Sequence, residues 1–128
     1  MSDIRVNSIA GANGTSPATL VKQSAAKAWA NLNGTGTIAL RDSFNVSSVV
    51  DNGVGDYTHN FSNAFASTNY AIAGTSSANA GSGPLIIGRF QARTDLKTAT
   101  QVAVHTMSFN GSNTDSTEAY TDYLGDLA

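Results

Sequence analysis

Cysteine is absent from this sequence, so the chain has no disulfide framework, no thiolate metal site and no cysteine nucleophile. Long apolar runs are absent too, since none approaches the roughly 20 residues that span a bilayer as a helix. The opening residues, MSDIRVN, lack the apolar segment of a secretory signal. We therefore expect a protein that is made in the cytosol and is not inserted into a membrane.

Large apolar side chains and charges are both scarce. Leu, Ile, Val and Phe together make up about one fifth of the 128 residues, near the level below which a chain fails to bury enough apolar surface. The net charge is only −2, so self-repulsion is not a reason to expect disorder. This combination favours an oligomer, because subunit interfaces supply the buried surface that a thin core lacks.

The distribution of charge argues against a nucleic-acid partner. The seven basic residues are scattered between Arg5 and Lys97 and form no cluster. Beyond Lys97 every charged side chain is acidic, namely Asp115, Glu118, Asp122 and Asp126. We favour a solvated C-terminal edge for these acids, and a docking face for a basic patch is the alternative.

Sequence motifs of catalysis are missing. There is no Gly-x-Ser-x-Gly elbow and no His-Glu-x-x-His pair. His59 and His105 are the only side chains that ordinarily titrate near neutral pH. A metal pair or a triad with Asp42, Asp51 or Asp56 is conceivable, but a strand histidine between polar neighbours is far more often structural.

Glycine-containing loops give no stronger signal. The loop from Asp51 to Asp56 (DNGVGD) offers oxygen ligands for calcium but lacks the EF-hand spacing and its terminal Glu. Gly34-x-Gly36 and Gly81-x-Gly83 lack the third glycine of a nucleotide-binding turn. We therefore predict that the protein is not an enzyme and has no cofactor, with no catalytic, cofactor-binding or metal-binding residues.

The stretch from Ala26 to Phe61 consists of short extended segments separated by glycine turns. Asn33-Gly34 between β-rich runs is a strong hairpin signal, since both central residues of such a turn need positive φ. Tyr57, His59 and Phe61 alternate with polar residues, which predicts a strand with two unlike faces. The predicted segments are 29–32, 37–40, 44–50 and 57–61, with an exposed loop at 51–56.

The rest of the chain continues this pattern. It predicts a strand at 70–74, a flexible surface loop at 75–83, a hairpin of 84–94 with 96–109, and a last strand or docking tail at 120–127. About eight short strands with Gly and Asn turns indicate an all-β fold, an antiparallel β-sandwich or jelly-roll-like domain. We expect both loops, 51–56 and 75–83, to tolerate change.

The N-terminal residues are set apart from this domain. Ile4 and Val6 alternate with Arg5 and Asn7 as in a short strand, and the breaks at 11–14 (GANG) and Pro17 follow it. We therefore predict a short extended N-terminal arm, residues 1–20, that anchors a β-sandwich domain, residues 21–128.

The first half of the domain carries a dense sequence pattern, AKAW-N-NGTGT-I-R-SFNVSS--DNG-GDYT-NF. In this pattern the chain resembles a module of tail-fibre and other appendage proteins of tailed bacteriophages. The match covers roughly a quarter of the chain, and the N-terminal IRVNSIAGANGT is similar to the opening of such proteins. The matching residues are Ala26–Trp29, Asn31, Asn33–Thr37, Arg41, Ser43–Ser48, Asp51–Gly53, Gly55–Thr58, Asn60 and Phe61.

The resemblance implies a virion structural protein, a short fibre, spike or tail-fibre-like module that contacts the host surface. A head decoration (cement) protein and a free carbohydrate-binding module are the alternatives. The implied partners are two sister subunits in a homotrimer, other virion proteins bound through the arm, and a host surface glycan. It also implies a strand around 26–32, although the alanines at 25–30 favour a helix. We predict a strand from about Lys27.

Aromatic residues offer one candidate binding surface. Trp29, Tyr57, Tyr70, Tyr120 and Tyr123 are able to stack on sugar rings, although core packing is their commoner use. In an extended segment Trp29 shares a face with Lys27 and Asn31, opposite Ala28 and Ala30. We favour Trp29 as an inter-subunit or sheet-packing anchor, ahead of a sugar platform.

Overall fold

A computed structural model describes residues 25–77, 87–108 and 111–128, and gives only the backbone of residues 87–91. The predicted arm, residues 1–20, lies outside the described residues. Eight strands occur in the described part: β1 Ala28–Asn33, β2 Ala39–Phe44, β3 Val46–Gly53, β4 Asp56–Phe61, β5 Ala71–Ser77, β6 Ile87–Arg93, β7 Gln101–Met107 and β8 Ala119–Leu124. A single 3-10 turn, Thr94–Leu96, joins β6 to β7. The strand predicted from about Lys27 and the predicted β6–β7 hairpin are confirmed.

The strands form two antiparallel layers of four. The order is β2-β1-β8-β5 in the first sheet and β6-β7-β4-β3 in the second. Strand β6 links the layers, because Ile87 and Gly88 pair with β5 while the rest of the strand pairs with β7. Strands β5, β6 and β7 are neighbours in sequence and β8 returns beside β5, which is Greek-key order. The predicted all-β antiparallel sandwich is confirmed.

The chain passes from the first sheet to the second at Asn45, the single residue between β2 and β3. Its φ is 56°, a left-handed conformation that asparagine adopts more readily than most residues. The Asn45 side-chain amide donates to the carbonyl of Lys27 at 3.0 Å, and its oxygen accepts from the backbone N–H of Asn63 at 2.7 Å. The corner is therefore held by its own side chain, and the segment predicted at 44–50 breaks at this point.

The core lies between the sheets and is aromatic. Phe61 packs edge-on against Phe65 and Tyr123, with ring centroids 5.0 Å apart in each pair, and Phe65 stacks on Tyr70 at 4.3 Å. Such pairs contribute about 0.5–1.5 kcal/mol each beyond their buried area, which offsets the shortage of aliphatic residues. Ala28, Ala30 and Leu32 close the core from β1. The alternation predicted for residues 57–61 is confirmed, since Tyr57, His59 and Phe61 are all buried.

Two expectations about loops are wrong in part. Thr75–Ser77 continue strand β5, with Thr75 and Ser76 paired to β8 and Ser77 paired to β6, and Ser76 is buried, so the loop predicted at 75–83 is not a free surface segment at its start. Residues 78–83 lie outside the described residues. The predicted loop 51–56 is a tight hairpin whose turn is Val54 and Gly55, and Gly55 is buried.

The acidic C-terminal residues do not form one solvated edge. Asp115 accepts hydrogen bonds from the Tyr57 hydroxyl at 2.9 Å and the Gly55 N–H at 2.7 Å, so it is part of the packing. Glu118 pairs with Arg41, and Asp122 is exposed on a strand. Within the described residues no helix is both long and apolar enough to cross a membrane.

Candidate functional site on the outer face of the first sheet

His59 belongs to the core rather than to a surface site. It is 1% exposed, and its Nδ1 lies 2.6 Å from the Tyr123 hydroxyl. Its Nε2 is buried and has no hydrogen-bond partner. Burial lowers the pKa of His59 to about 4, so the ring is neutral at pH 7. A neutral ring between two sheets reaches no substrate, and His59 is structural.

His105 and Asp56 are the one histidine–carboxylate pair that the structure brings together among those named from the sequence. The two residues are cross-strand partners in β7 and β4, and His105 Nε2 lies 3.2 Å from Asp56 Oδ2. The Arg93 guanidinium lies 3.3 Å from the same Asp56 oxygen and 2.9 Å from the Asp95 carboxylate. Its hydrogen bond to Asp95 holds the pKa of that carboxyl below its usual range. These contacts link β4, β6 and β7 on the outer face of the second sheet, so we assign the cluster a structural role.

The other carboxylates named from the sequence lie apart from the histidines. Asp51 accepts from the Gly53 N–H at 2.9 Å inside the hairpin turn, and Asp42 lies on the outer face of the first sheet. In the part of the chain that the structure describes, no three His, Cys, Asp or Glu side chains are grouped closely enough to hold a metal ion.

The outer face of the first sheet carries the exposed aromatic residues. Strand register places eight positions there in two rows across β2, β1, β8 and β5. We call these positions the aromatic face. The first row is Phe44, Trp29, Asp122 and Ala73, and the second row is Asp42, Asn31, Tyr120 and Thr75.

Exposure on the aromatic face is high for a set of large rings. Phe44 is 54% exposed and Tyr120 is 43% exposed, while Trp29 is half-buried between its cross-strand neighbours Phe44 and Asp122. Trp29 and Tyr120 alternate with buried residues of their own strands, and Phe44 is the cross-strand partner of Trp29, so the sheet itself fixes the direction of these side chains. The three rings therefore present their surfaces to solvent from a rigid support.

A polar network holds Tyr120 in position. Its hydroxyl donates to the Glu118 carboxylate, which also pairs with the Arg41 guanidinium. Arg41 is the extra residue of a β-bulge in β2. Its neighbours Asp42 and Leu40 pair with the consecutive β1 residues Asn31 and Leu32, which leaves Arg41 without a partner in β1. The bulge thus turns a cation toward Glu118 and keeps the Tyr120 ring at the sheet surface.

A surface depression of about 440 Å³ adjoins the aromatic face. Its lining includes Ala71 and Leu124, which pair with each other across β5 and β8. These residues lie two positions beyond Ala73 and Asp122 on the same strands, so the depression continues the first row toward one end of the sheet. The depression and the rings therefore form one surface of the domain.

The aromatic residues named from the sequence divide between core and surface. Tyr57, Tyr70 and Tyr123 are buried, as core packing requires, whereas Trp29 and Tyr120 lie on the aromatic face. The predicted sharing of a face by Trp29 and Asn31, opposite Ala28 and Ala30, is confirmed. A sheet-packing role inside the sandwich is wrong for Trp29, because it points away from the core.

Phe44 was not among the candidates, although it is the most exposed ring of the aromatic face. Its neighbours in sequence, Asp42 and Ser43, are polar, and an isolated phenylalanine in such a context gives no signal of its own. The signal would have been its pairing with Trp29, which depends on the register of the β1–β2 hairpin and its bulge.

The fold and this surface together define an all-β antiparallel sandwich domain with an exposed aromatic face on one sheet. No protein-family model, no curated protein and no solved structure matches the chain.

Proposed function

We propose that this protein is a structural module of a tailed-bacteriophage virion, a short fibre, spike or tail-fibre-like appendage that works as a homotrimer and performs no catalysis. The observation that carries the proposal is the stretch 26–61, which resembles phage appendage modules and forms strands β1 to β4. The virion, assembled in the bacterial cytoplasm, is its proposed location. Its proposed partners are sister subunits and an underlying tail, baseplate or capsid protein.

Several residues of that pattern have structural reasons in this chain. Gly36, Asn45, Gly53 and Gly55 all have positive φ, and each stands at a turn or corner between strands. The residues of the pattern therefore shape the turns of two hairpins, β1–β2 in the first sheet and β3–β4 in the second, and the corner between them. It supports an appendage module more strongly than it supports any particular ligand.

Free sheet edges support assembly with other chains. The sheet order ends on β2 and β3, so within the described residues each of these strands has one edge without a strand partner. Such an edge presents unpaired N–H and C=O groups that pair readily with another chain. Residues 4–9 have the alternation of a strand and are the proposed donor to such an edge, or to an underlying virion protein.

The trimer has a direct test. Light scattering of the full-length protein at micromolar concentration is expected to give three times the chain mass of 13.2 kDa. The large apolar residues are few for an independent core, so a stable fold should depend on subunit burial. A stable monomer under these conditions would contradict the trimer.

The anchoring role of the arm is tested by deleting residues 1–20. Particles assembled with the shortened protein are expected to lack it, while its circular dichroism spectrum keeps the β signature of the intact domain. Undiminished incorporation would show that the arm is not the anchor. A map of the intact particle then distinguishes a tail or fibre position from head decoration, because it identifies the chain that this protein contacts.

The absence of catalysis is tested on host polysaccharide. The pure protein is expected to release no reducing ends from purified cell-surface polysaccharide, and its melting temperature is expected to stay unchanged when calcium is added or chelated. Hydrolysis by the pure protein would overturn the structural assignment, and a calcium-dependent shift would reveal a metal site.

A further inference from the structure

We propose that the aromatic face binds a neutral carbohydrate, with Phe44, Trp29 and Tyr120 stacking against sugar rings and Asp42 and Asp122 accepting hydrogen bonds from their hydroxyls. This inference does not depend on the virion assignment, because the same surface would bind a glycan in a free domain.

The arrangement of the rings fits a ligand with flat apolar patches. Trp29 and Phe44 are direct cross-strand neighbours, and Tyr120 lies on the diagonal from Trp29, about 7–8 Å away in an antiparallel sheet. A pyranose ring presents C–H groups on one face and hydroxyls around its rim. It therefore stacks on an aromatic surface and still needs polar partners at its edge, which this face supplies beside each ring.

The polar groups of the face decide between a sugar and a second protein surface. Carboxylates accept hydrogen bonds and do not donate them, and two carboxylates lie in the aromatic face. The Asn31 Oδ1 is covered and has no hydrogen-bond partner, which shows that donors are scarce there. The hydroxyl of Tyr120 is already used by Glu118.

A copy of the same face, or an apolar partner surface, would add acceptors and few donors. It would desolvate Asp122, and would desolvate Asp42 with only the Ser43 N–H as a partner, at a cost above the roughly 1–3 kcal/mol of an unsatisfied neutral group. A carbohydrate brings a hydroxyl donor on nearly every carbon. Donor and acceptor complementarity therefore favours a sugar over self-association through this face.

The charge of the face favours a neutral sugar over an acidic one. Its eight positions include Asp42 and Asp122 and no cation. Of the cations beside it, Arg41 is paired with Glu118, and Lys27 donates its backbone N–H to the Tyr123 carbonyl at the end of β8 that borders the depression. Asp126 in the lining of the depression offsets the charge of Lys27, so Asp42 and Asp122 set the sign of the face. An acidic polysaccharide would bring carboxylates against these two aspartates, whereas a neutral chain can run from the rings into the depression at Ala71 and Leu124.

The single tryptophan of the chain makes the test direct, because intrinsic fluorescence reports on Trp29 alone. The full-length protein is titrated with a panel of neutral oligosaccharides of glucose, galactose, mannose, rhamnose and N-acetylhexosamine, and with polygalacturonate as the acidic probe. At least one neutral member is expected to shift or quench the emission in a saturable way, and calorimetry with that member gives its Kd. Polygalacturonate is expected to leave the emission unchanged.

Variants of exposed residues then assign the site. Phe44→Ala and Tyr120→Ala are each expected to weaken binding about tenfold, the effect of losing one stacking contact. Val50→Ala is the matched control, since Val50 is 47% exposed but lies on β3 of the second sheet, and it should bind as the wild type does. Melting curves for all three variants verify that they fold.

Three outcomes would overturn the proposal. They are no response to any neutral oligosaccharide, a response to polygalacturonate alone, or equal losses in Val50→Ala and the ring variants. Light scattering adds a fourth, because a change of oligomer mass in Phe44→Ala would make this face a subunit interface.

The sugar site and the trimer can fail separately. A protein that is monomeric and still binds a neutral oligosaccharide through Phe44 would contradict the trimer while leaving the sugar site in place.

Discussion

Replacing Gly55 by alanine is expected to cost the domain at least about 3 kcal/mol of unfolding free energy, enough to leave little soluble protein. Gly55 has φ of 61°, which an alanine adopts only with strain. A Cβ at this position would lie 2.5 Å from the Thr106 carbonyl oxygen and 2.6 Å from the Thr114 nitrogen, both of them backbone atoms. Neither atom belongs to a flexible side chain that can move aside.

The expected damage extends beyond the turn because Gly55 is hydrogen-bonded on both sides. Its N–H donates to Asp115 and its carbonyl accepts from the Thr106 N–H at 2.9 Å. Asp115 in turn accepts from the buried Tyr57 hydroxyl, and burial together with Asp115 raises the pKa of Tyr57 well above its usual value. Shifting Gly55 therefore disturbs a contact that joins β4 to the segment before β8.

Gly36→Ala is the matched control for this substitution. Gly36 has a similar φ of 65°, but a Cβ there would meet nothing within 4 Å. Its expected cost is the conformational term alone, about 1 kcal/mol. Urea unfolding of both variants measures the difference, and equal losses would show that the close approach at Gly55 does not matter.

Gly55 also illustrates which parts of the fold could be predicted from sequence. Local patterns were sufficient for the alternation of Tyr57, His59 and Phe61 and for the all-β class. They placed a turn after β1, but the tight turn at Asn33-Gly34 is wrong, because the connection runs to Ala39 and its positive-φ residue is Gly36. They predicted residues 51–56 as an exposed loop because DNGVGD is typical of turns. What buries Gly55 is the segment around Thr114, about 60 residues further along the chain, and no local pattern reports such a contact.

The candidate site depends even more on distant pairing. Trp29 and Asn31 could be assigned to one face from their spacing alone. The aromatic face exists because β8 lies between β1 and β5, which brings Tyr120 and Asp122 beside β1. In that order Tyr123 and Thr121 of β8 are buried between the sheets, and Phe44 joins the face only through the bulged register of β2.

Acid is expected to destabilise this protein through His59, with a loss that begins as the pH falls through about 6.5. His59 has a pKa of about 4 in the folded protein, lowered by burial, against the ordinary value of 6.5 in the unfolded chain. Between these values the unfolded chain binds the proton and the folded protein does not. Stability is therefore complete above pH 6.5 and falls by about 3 kcal/mol in total by pH 4.

Burial disfavours the charged form of the His59 ring, and the N–H groups of the ring add to this effect. A neutral imidazole has one N–H, whereas the protonated ring has two, and the described contacts of His59 are at Nδ1, with Tyr123 at 2.6 Å and Thr121 at 3.5 Å. Protonation would leave an N–H on Nε2 buried in the core without an acceptor.

Urea unfolding of the wild type and of His59→Gln at pH 7, 6, 5 and 4 measures this effect. Carboxylates elsewhere contribute their own acid dependence, so the informative quantity is the difference between the two proteins. The wild type is expected to lose about 3 kcal/mol more than His59→Gln over this range. Parallel pH profiles for the wild type and His59→Gln would show that the buried histidine is not the acid-sensitive group.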